Sequence, residues 1–394
     1  MPHEADFAGV DLEGSICHPG VAPQPRMPHV STTAAKGYVP EFDTLRALAC
    51  IGVMIGHFAP FRGIPMLERP ADRLGALGVD LFFALSGFLI TGILLRCRDS
   101  TAEQSRPRIL KQFYFRRALR IFPLYYLAIA LCVACRIPGI AANLPWFLTY
   151  TVNYGKAVVP AGWYPLHHFW TLAVEEQFYL VWPVFVLFIR ARYLPRLCWI
   201  LIAVSFSERA ILEMTGSDAV LVLQSTICCL EPLLMGAVCA IVYCKNGLKR
   251  TFLFTSLLVG AISSAAIVMF ANDKILYILG RLSYAVLFSS IIGLLAVFTG
   301  SRGLYLLRLK PFLFLGRISY GVYVWHLPVL RCSLESIAHL PRWADRDFHP
   351  AANFAALFGV TIAAATASWF LFEGPLNGLK RRFPYLAEHR QGAH

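Results

Sequence analysis

Ten apolar stretches, most of them long enough to cross about 30 Å of hydrocarbon, follow one another along this chain of 394 residues. They cover roughly 44–61, 76–95, 121–136, 171–189, 197–213, 219–243, 252–271, 275–298, 312–331 and 352–372. In lipid, a run of that length satisfies its own backbone hydrogen bonds as a helix. The expected fold is therefore all-α, a polytopic membrane helical bundle of about ten transmembrane helices. Composition agrees, with 57% hydrophobic and only 15% charged residues against about a quarter charged in soluble domains. The third stretch is short, and the fifth is interrupted by Ser205, Glu208 and Arg209.

A net charge of +13 would point to nucleic acid in a soluble protein. Here the Lys and Arg residues lie in clusters between apolar stretches, so they read as a topology signal and no nucleic-acid partner is expected. Arg96, Arg98, Arg106, Arg108, Lys111, Arg116, Arg117 and Arg120 lie between the second and third spans. Further clusters include Arg190, Arg192 and Arg196, then Lys245, Lys249 and Arg250, then Arg302, Arg308 and Lys310. The alternate loops carry Asp218, Asp273, Asp345 and Asp347. Positive charge stays inside, which puts both termini in the cytoplasm of a cell with this protein in its plasma membrane, expected to be a bacterial one. Residues 1–40 have no sustained apolar run and read as a disordered cytoplasmic extension, with no cleaved signal peptide expected. Residues 41–376 form the membrane domain and 377–394 a basic cytoplasmic tail.

The chain has 11 cysteines, an odd number with no metal-binding spacing, so buried free thiols and no metal site are expected. The Pro-rich outer loop of about 137–168 carries Trp146, Tyr150, Tyr154, Trp163 and Tyr164. These aromatics fit interfacial anchoring, or stacking on a sugar ring. Leu279–Val286 echoes Leu315–Val322, which reads as coincidence in apolar sequence rather than as a repeat.

Ionisable residues inside apolar spans are costly and mark function by default. Arg46 and His57 lie eleven positions apart in the first span, on one helix face and roughly 16 Å apart along its axis. Asp80 stands in Gly78-Val-Asp-Leu-Phe-Phe-Ala-Leu-Ser86-Gly87-Phe88, and Arg117 and Arg120 in Phe115-Arg-Arg-Ala-Leu-Arg120-Ile-Phe-Pro123. Glu175, Glu176 and Tyr179 fall in Val174-Glu-Glu-Gln-Phe-Tyr179, and Tyr320 and His326 in Ile318-Ser-Tyr-Gly-Val-Tyr-Val-Trp-His326-Leu-Pro328. Glu175 and Glu176 point about 100° apart, and Glu176 is taken as the inward one. Ser86 and Ser319 read as packing residues. Glu231 and Glu373 read as structural partners of arginines.

These motifs, in this order over residues 41–376, resemble the membrane-bound acyltransferase 3 family, whose members O-acylate carbohydrates and other hydroxyl acceptors. The chain departs slightly, with Asp43-Thr44-Leu45-Arg46 for Asp-Gly-Leu-Arg and Trp170-Thr171-Leu172 for Trp-Ser-Leu. No soluble esterase-like domain follows, so a stand-alone membrane module is expected. The resemblance implies transfer of an acyl group, most often acetyl, from acyl-CoA to a sugar hydroxyl. The acceptor would be a polysaccharide, a lipo-oligosaccharide such as a lipochitooligosaccharide, or a glycosylated natural product.

An attacking hydroxyl must lose its proton, and histidine is the natural general base. His57 is the matching residue, with Asp80 or Glu176 expected to orient its ring by analogy with known triads. Arg46, Arg117 and Arg120 are expected near the cytoplasmic face, clamping the phosphates of acetyl-CoA. Glu175, Tyr179, Tyr320, His326 and Trp163 are expected to bind substrate or to support the site. His57 falls toward the outer half of its span, so the acceptor would arrive from outside or from the surrounding membrane lipids. The alternative is a proton-coupled transporter using the same His, Arg and Glu residues, a class that usually shows related halves. No such symmetry is evident in the sequence.

Overall fold

A helix stands at each expected span. The protein is represented by a computed structural model that describes residues 38–58, 65–99, 105–158, 166–245, 247–270, 272–338 and 350–383. The principal helices are α1 (Glu41–Phe58), α2 (Pro65–Asp99), α3 (Arg106–Ala134), α4 (Trp170–Phe188) and α5 (Leu194–Met214). They continue as α6 (Leu230–Cys244), α7 (Arg250–Phe270), α8 (Asp273–Phe298), α9 (Ser319–Ala338) and α10 (Pro350–Ser368). There is no β-strand among the described residues. Seven of these helices are long and apolar enough to cross a membrane: α2, α3, α4, α6, α7, α8 and α10. The remaining three, α1, α5 and α9, are the helices that carry Arg46 and His57, Glu208 and Arg209, and His326. The amino-terminal extension, Trp163 and most of the carboxy-terminal tail lie outside the described residues.

Three boundaries differ from expectation. Helix α3 begins at Arg106, not at 121, because Pro107 opens its first turn and the Arg- and Lys-rich sequence that follows is good helix former. Arg117 and Arg120 therefore lie well inside a long helix instead of at its threshold. The expected sixth span breaks into Ala219–Gln224, a tight turn at Ile227–Cys229 and α6. The ninth breaks at Ile318, between a short helix Lys310–Arg317 and α9. That break falls inside one copy of the Leu279/Leu315 echo, whereas the other copy runs unbroken through α8, so the two segments are not structural equivalents.

Helix α2 is central, with 72% of its most apolar window buried, while α7 and α10 bury 17% and 11% of theirs and face lipid. Without a hydrophobic drive between helices in lipid, association depends on close packing and interhelical hydrogen bonds. The α7–α8 pair shows both. Ser256 bonds Ser290 at 2.8 Å, Ser263 and Ser264 bond Ser283 at 2.6 and 2.8 Å, and Gly260 lies against the Leu287 backbone. The α2–α6 crossing is tighter still. A Cβ on Gly87 would stand 1.8 Å from the Leu233 carbonyl oxygen, and one on Gly236 would stand 2.0 Å from that of Ala84. All cysteines among the described residues are free thiols, most of them buried, as expected.

The reciprocal Gly87–Gly236 contact sets a stability test. Gly87→Ala and Gly236→Ala should each destabilise the detergent-solubilised protein by about 1–3 kcal/mol through overpacking. Gly359→Ala, on α10 with open space around it, should be neutral or slightly stabilising through helix propensity. Thermal unfolding of the three variants checks the contrast.

Candidate active site

One face of α2 forms the long wall of a cavity of about 230 Å³. Val79, Phe82, Phe83, Ser86, Leu89 and Ile93 recur at helical spacing along it. From Val79 to Ile93 the wall runs about 21 Å, most of the thickness of a bilayer core. Helix α4 adds Thr171, Leu172, Glu175 and Tyr179; α3 adds Arg117, Arg120 and Ile121; α9 adds Ser319, Tyr320 and Tyr323; and α1 adds Arg46. The three arginines that the sequence singles out thus meet in one cavity.

Their partners differ. Arg46 pairs with Asp43 one turn earlier, and Asp43 also accepts from the Tyr38 hydroxyl. The Arg117 guanidinium lies over the Tyr179 ring, 4.9 Å from its centroid. Neither Arg117 nor Arg120 has an ion-pair partner among the described residues. Between α2 and α4 the Tyr179 hydroxyl donates to Ser86 Oγ at 3.0 Å, and Ser86 donates to Glu175 Oε1 at 2.6 Å. Tyr320 closes the wall by donating to the Ile121 carbonyl at 2.7 Å. The chain then folds back beyond α10. Phe383 stacks on Phe115 at 5.0 Å, and Arg116 donates to the Phe383 carbonyl at 3.0 Å. This return brings Lys380 toward the arginines. Burial, and then the positive charges of Arg120, Arg117 and Arg116, push its ammonium pKa down to about 7.

The other end of the cavity is closed by two hydroxyls. Tyr323 donates to the His168 carbonyl at 2.8 Å and shares a 2.5 Å hydrogen bond with Thr171. Directly behind Tyr323 lies a group of imidazoles. The Tyr323 and His326 rings are 5.4 Å apart, His326 and His57 5.0 Å, His168 and His326 4.6 Å, and His57 and His167 5.7 Å. His57 Nδ1 and His326 Nε2 are hydrogen-bonded at 3.1 Å. No group of side chains with metal-binding geometry occurs among the described residues.

Several expected placements are corrected by this geometry. Glu175, not Glu176, faces the cavity; Glu176 is turned a third of the way round α4, with Oε1 buried and unpartnered among the described residues. The residue beside His57 is His326 and not a carboxylate. Asp80 is committed elsewhere, in an ion pair with Arg281 at 3.2 Å. Ser86, expected to serve packing, carries a hydroxyl that lines the cavity; its neighbour Gly87 does the packing. Glu231 pairs with an arginine as expected, Arg209 at 2.6 Å, whereas Glu373 accepts from Ser368 at 3.0 Å.

Asp80 and Glu231 belong to a buried network that mends the broken sixth span. Arg281 donates to the carbonyls of Cys228 and Leu223 at 3.1 and 3.2 Å, and Arg209 to those of Cys228 and Ile278 at 3.0 and 2.9 Å. Breaking a helix inside a membrane frees carbonyls that only protein donors can satisfy. Tyr323, His167 and His168 were not singled out by the sequence reading, which noted Thr171 only as the hydroxyl of a motif and Lys380 only as part of the basic tail. Tyr323 could have been found from its place one helical turn before His326, and His168 from the paired histidines that precede Trp170.

A cavity lined by three arginines and closed at one end by hydroxyls with imidazoles behind them, inside a helical bundle of membrane-spanning length, defines an integral membrane protein with an internal polar site. Residues 39–372 match the Acyl_transf_3 family, described as an acyltransferase domain, and the chain belongs to that family. It is 32% identical over 330 residues to the peptidoglycan O-acetyltransferase OatA of Listeria monocytogenes, covering 76% of this chain and 50% of that protein. It is 29% identical over 321 residues to the O-acetyltransferase OatA of Staphylococcus aureus, covering 74% of this chain and 51% of that one. The chain thus spans about half the length of these curated relatives. No solved structure matches it.

The pairing of Asp80 makes a distinct prediction. Asp80→Ala or Arg281→Met leaves one buried charge without its partner, which should destabilise the fold by about 3–5 kcal/mol. Thermal unfolding should reveal the loss in the absence of any substrate, as befits a structural pair.

Proposed function

We propose that this chain is a membrane O-acetyltransferase that moves an acetyl group from acetyl-CoA to a hydroxyl of a carbohydrate. The observation that carries the reading is the single cavity joining Arg117 and Arg120, both without an ion-pair partner among the described residues, to a wall of side chains behind which His57 lies. A half-buried guanidinium without an ion-pair partner is costly, Glu175 being the carboxylate that lines the same cavity, and a phosphate-bearing ligand would relieve that cost in two places at once. CoA supplies such phosphates, and its long, narrow pantetheine arm suits a cavity of this length. The names of the relatives, O-acetyltransferases in Listeria and Staphylococcus, support acetyl as the group transferred. The Listeria relative is named for peptidoglycan, which favours a glycan acceptor here too.

In the proposed reaction the CoA phosphates dock on Arg117 and Arg120, with Arg46 and Lys380 adding positive potential. The thioester lies toward Thr171 and Tyr323, whose hydroxyl contact must part to let the acyl carbon approach His57. The acceptor hydroxyl attacks the thioester carbonyl while the His57 imidazole takes its proton. The tetrahedral centre then collapses, the carbon–sulfur bond breaks, and the CoA thiolate receives that proton from the imidazolium. The clusters of Lys and Arg favour a donor end facing the cytoplasm and His57 in the outer half of the membrane, an orientation in which the acceptor arrives from outside or from the surrounding lipid.

Labelled acetyl-CoA and a panel of glycans, with protein in detergent or nanodiscs, provide the test. His57→Ala should lower transfer by about 10²- to 10⁴-fold. Arg117→Ala and Arg120→Ala should raise KM for acetyl-CoA by about tenfold or more, through loss of a charge-assisted hydrogen bond. Unchanged transfer by His57→Ala would refute its role.

Lys380 adds a pH dependence whose sign is set. Its pKa in the free protein is pulled down to about 7. Bound phosphates raise it again, so docking takes up a proton. CoA affinity should therefore be full below pH 7 and fall as pH rises from 7 toward 9 and Lys380 stays neutral in the free protein. Titrations of wild type and Lys380→Met over that range should show a slope in the first and a flatter line in the second.

A further inference from the structure

The hydrogen bonds around His326 determine where the protons of two imidazoles lie. His326 is fully buried, and its Nδ1 is 2.6 Å from the Tyr323 carbonyl oxygen. A carbonyl only accepts, so the proton of this bond belongs to Nδ1. A neutral imidazole has one N–H, which leaves Nε2 of His326 with a lone pair. The partner of that lone pair is His57 Nδ1, at 3.1 Å. His57 must therefore donate from Nδ1, and its own Nε2 is left bare.

The alternative is a doubly protonated His326, which would donate through Nε2 and force His57 into the opposite tautomer. The groups facing this pair are Tyr323 on α9, His167 and His168 before α4, and Phe58 on α1. None is anionic, and no carboxylate pairs with either ring among the described residues. An imidazolium at His326 would be a buried charge with nothing to offset it.

We propose that His326 is the positioning residue of the acyl transfer. It is a neutral imidazole standing where other hydrolases and transferases keep a carboxylate, and it holds His57 with Nε2 free to receive the acceptor's proton. This rests on the reading of His57 as general base. The arrangement suits a bilayer interior. A carboxylate there would be a second buried charge throughout the resting state, whereas the His326 lone pair carries none. When His57 is protonated, its Nδ1–H bond to His326 becomes charge-assisted and strengthens at the moment it is needed. The backbone carbonyl of Tyr323 anchors the relay, and the Tyr323 side chain also forms the end of the donor cavity. One turn of α9 thus ties the position of the base to the end of that cavity.

Protein labelled with imidazole-¹⁵N histidine reports the tautomer directly, the His57 signals being assigned by their loss in His57→Gln. The expected spectrum has a protonated Nδ1 and a pyridine-like Nε2 at His57. Kinetics supply a second reading. His326→Leu, which removes the acceptor, should lower kcat by about 10²-fold or more with KM for acetyl-CoA unchanged, as a base loses its tautomer. His326→Gln keeps an acceptor oxygen at the same reach and should recover much of that loss. His326→Glu should move the acid limb of the pH–rate profile upward by about one unit or more, because a carboxylate beside an imidazolium favours the charged form. A purely structural role would move neither the tautomer nor that limb. A protonated Nε2 at His57 would overturn the proposal, as would equal rates for His326→Leu and His326→Gln. If the wild type transfers no acetyl group at all, the functional reading fails instead, and the spectrum alone decides the tautomer.

Discussion

Hydrocarbon offers no hydrogen bonds, and the arrangement of this protein follows from that deficit. Each buried charge or freed carbonyl must find its partner within the bundle. Arg209 and Arg281 show the constraint being met. Each reaches carbonyls released by the break near Cys228, and each is neutralised by a carboxylate, Glu231 or Asp80. Arg117 and Arg120 differ: they line a cavity together with Glu175, with no carboxylate in an ion pair with either among the described residues. The contrast separates charge paired within the bundle from charge that faces a cavity.

Helix α2 lets both arrangements coexist. One side carries Gly87, which admits α6 so closely that a methyl group would strike the Leu233 carbonyl. The neighbouring position, Ser86, points into the cavity and joins Tyr179 to Glu175. Two adjacent residues thus serve two faces, 100° apart, and the closeness of the first contact fixes the position of the second. The same helix presents Asp80 to Arg281, away from the histidines. The small, polar and acidic residues of this segment are not one site but three separate contacts of a central rod.

Much of the site was legible because helical geometry converts sequence spacing into direction. Arg46 and His57 on one helix, and Arg117 with Arg120 one turn apart, were placed near one another in kind if not in detail. Glu175 and Glu176 mark where this logic stops. Spacing says that they diverge, but only the rotation of α4 against α2 says which one meets Ser86. The partner of His57 was misjudged for a related reason. Analogy with triads favours a carboxylate, and nothing local in the sequence tells that α9 brings His326 to the end of α1 from 269 residues away. The extent of α3 was missed because hydropathy marks where a helix enters lipid, whereas backbone propensity lets it begin earlier.

By itself, the sequence determined that the chain is a helical membrane bundle, where in the chain most of its helices stand, though not where α3 begins or where the sixth and ninth spans break, and which side chains are too polar to be there without cause. These follow from length, apolarity and charge, all of which are local quantities. Only the tertiary structure decided which of those polar groups are spent on holding the bundle and which line the cavity. It also decided that a histidine, not a carboxylate, stands beside His57. The reason is that a buried polar group's role depends on what other helices place within hydrogen-bond reach, and that distance is set by packing between segments remote in the chain.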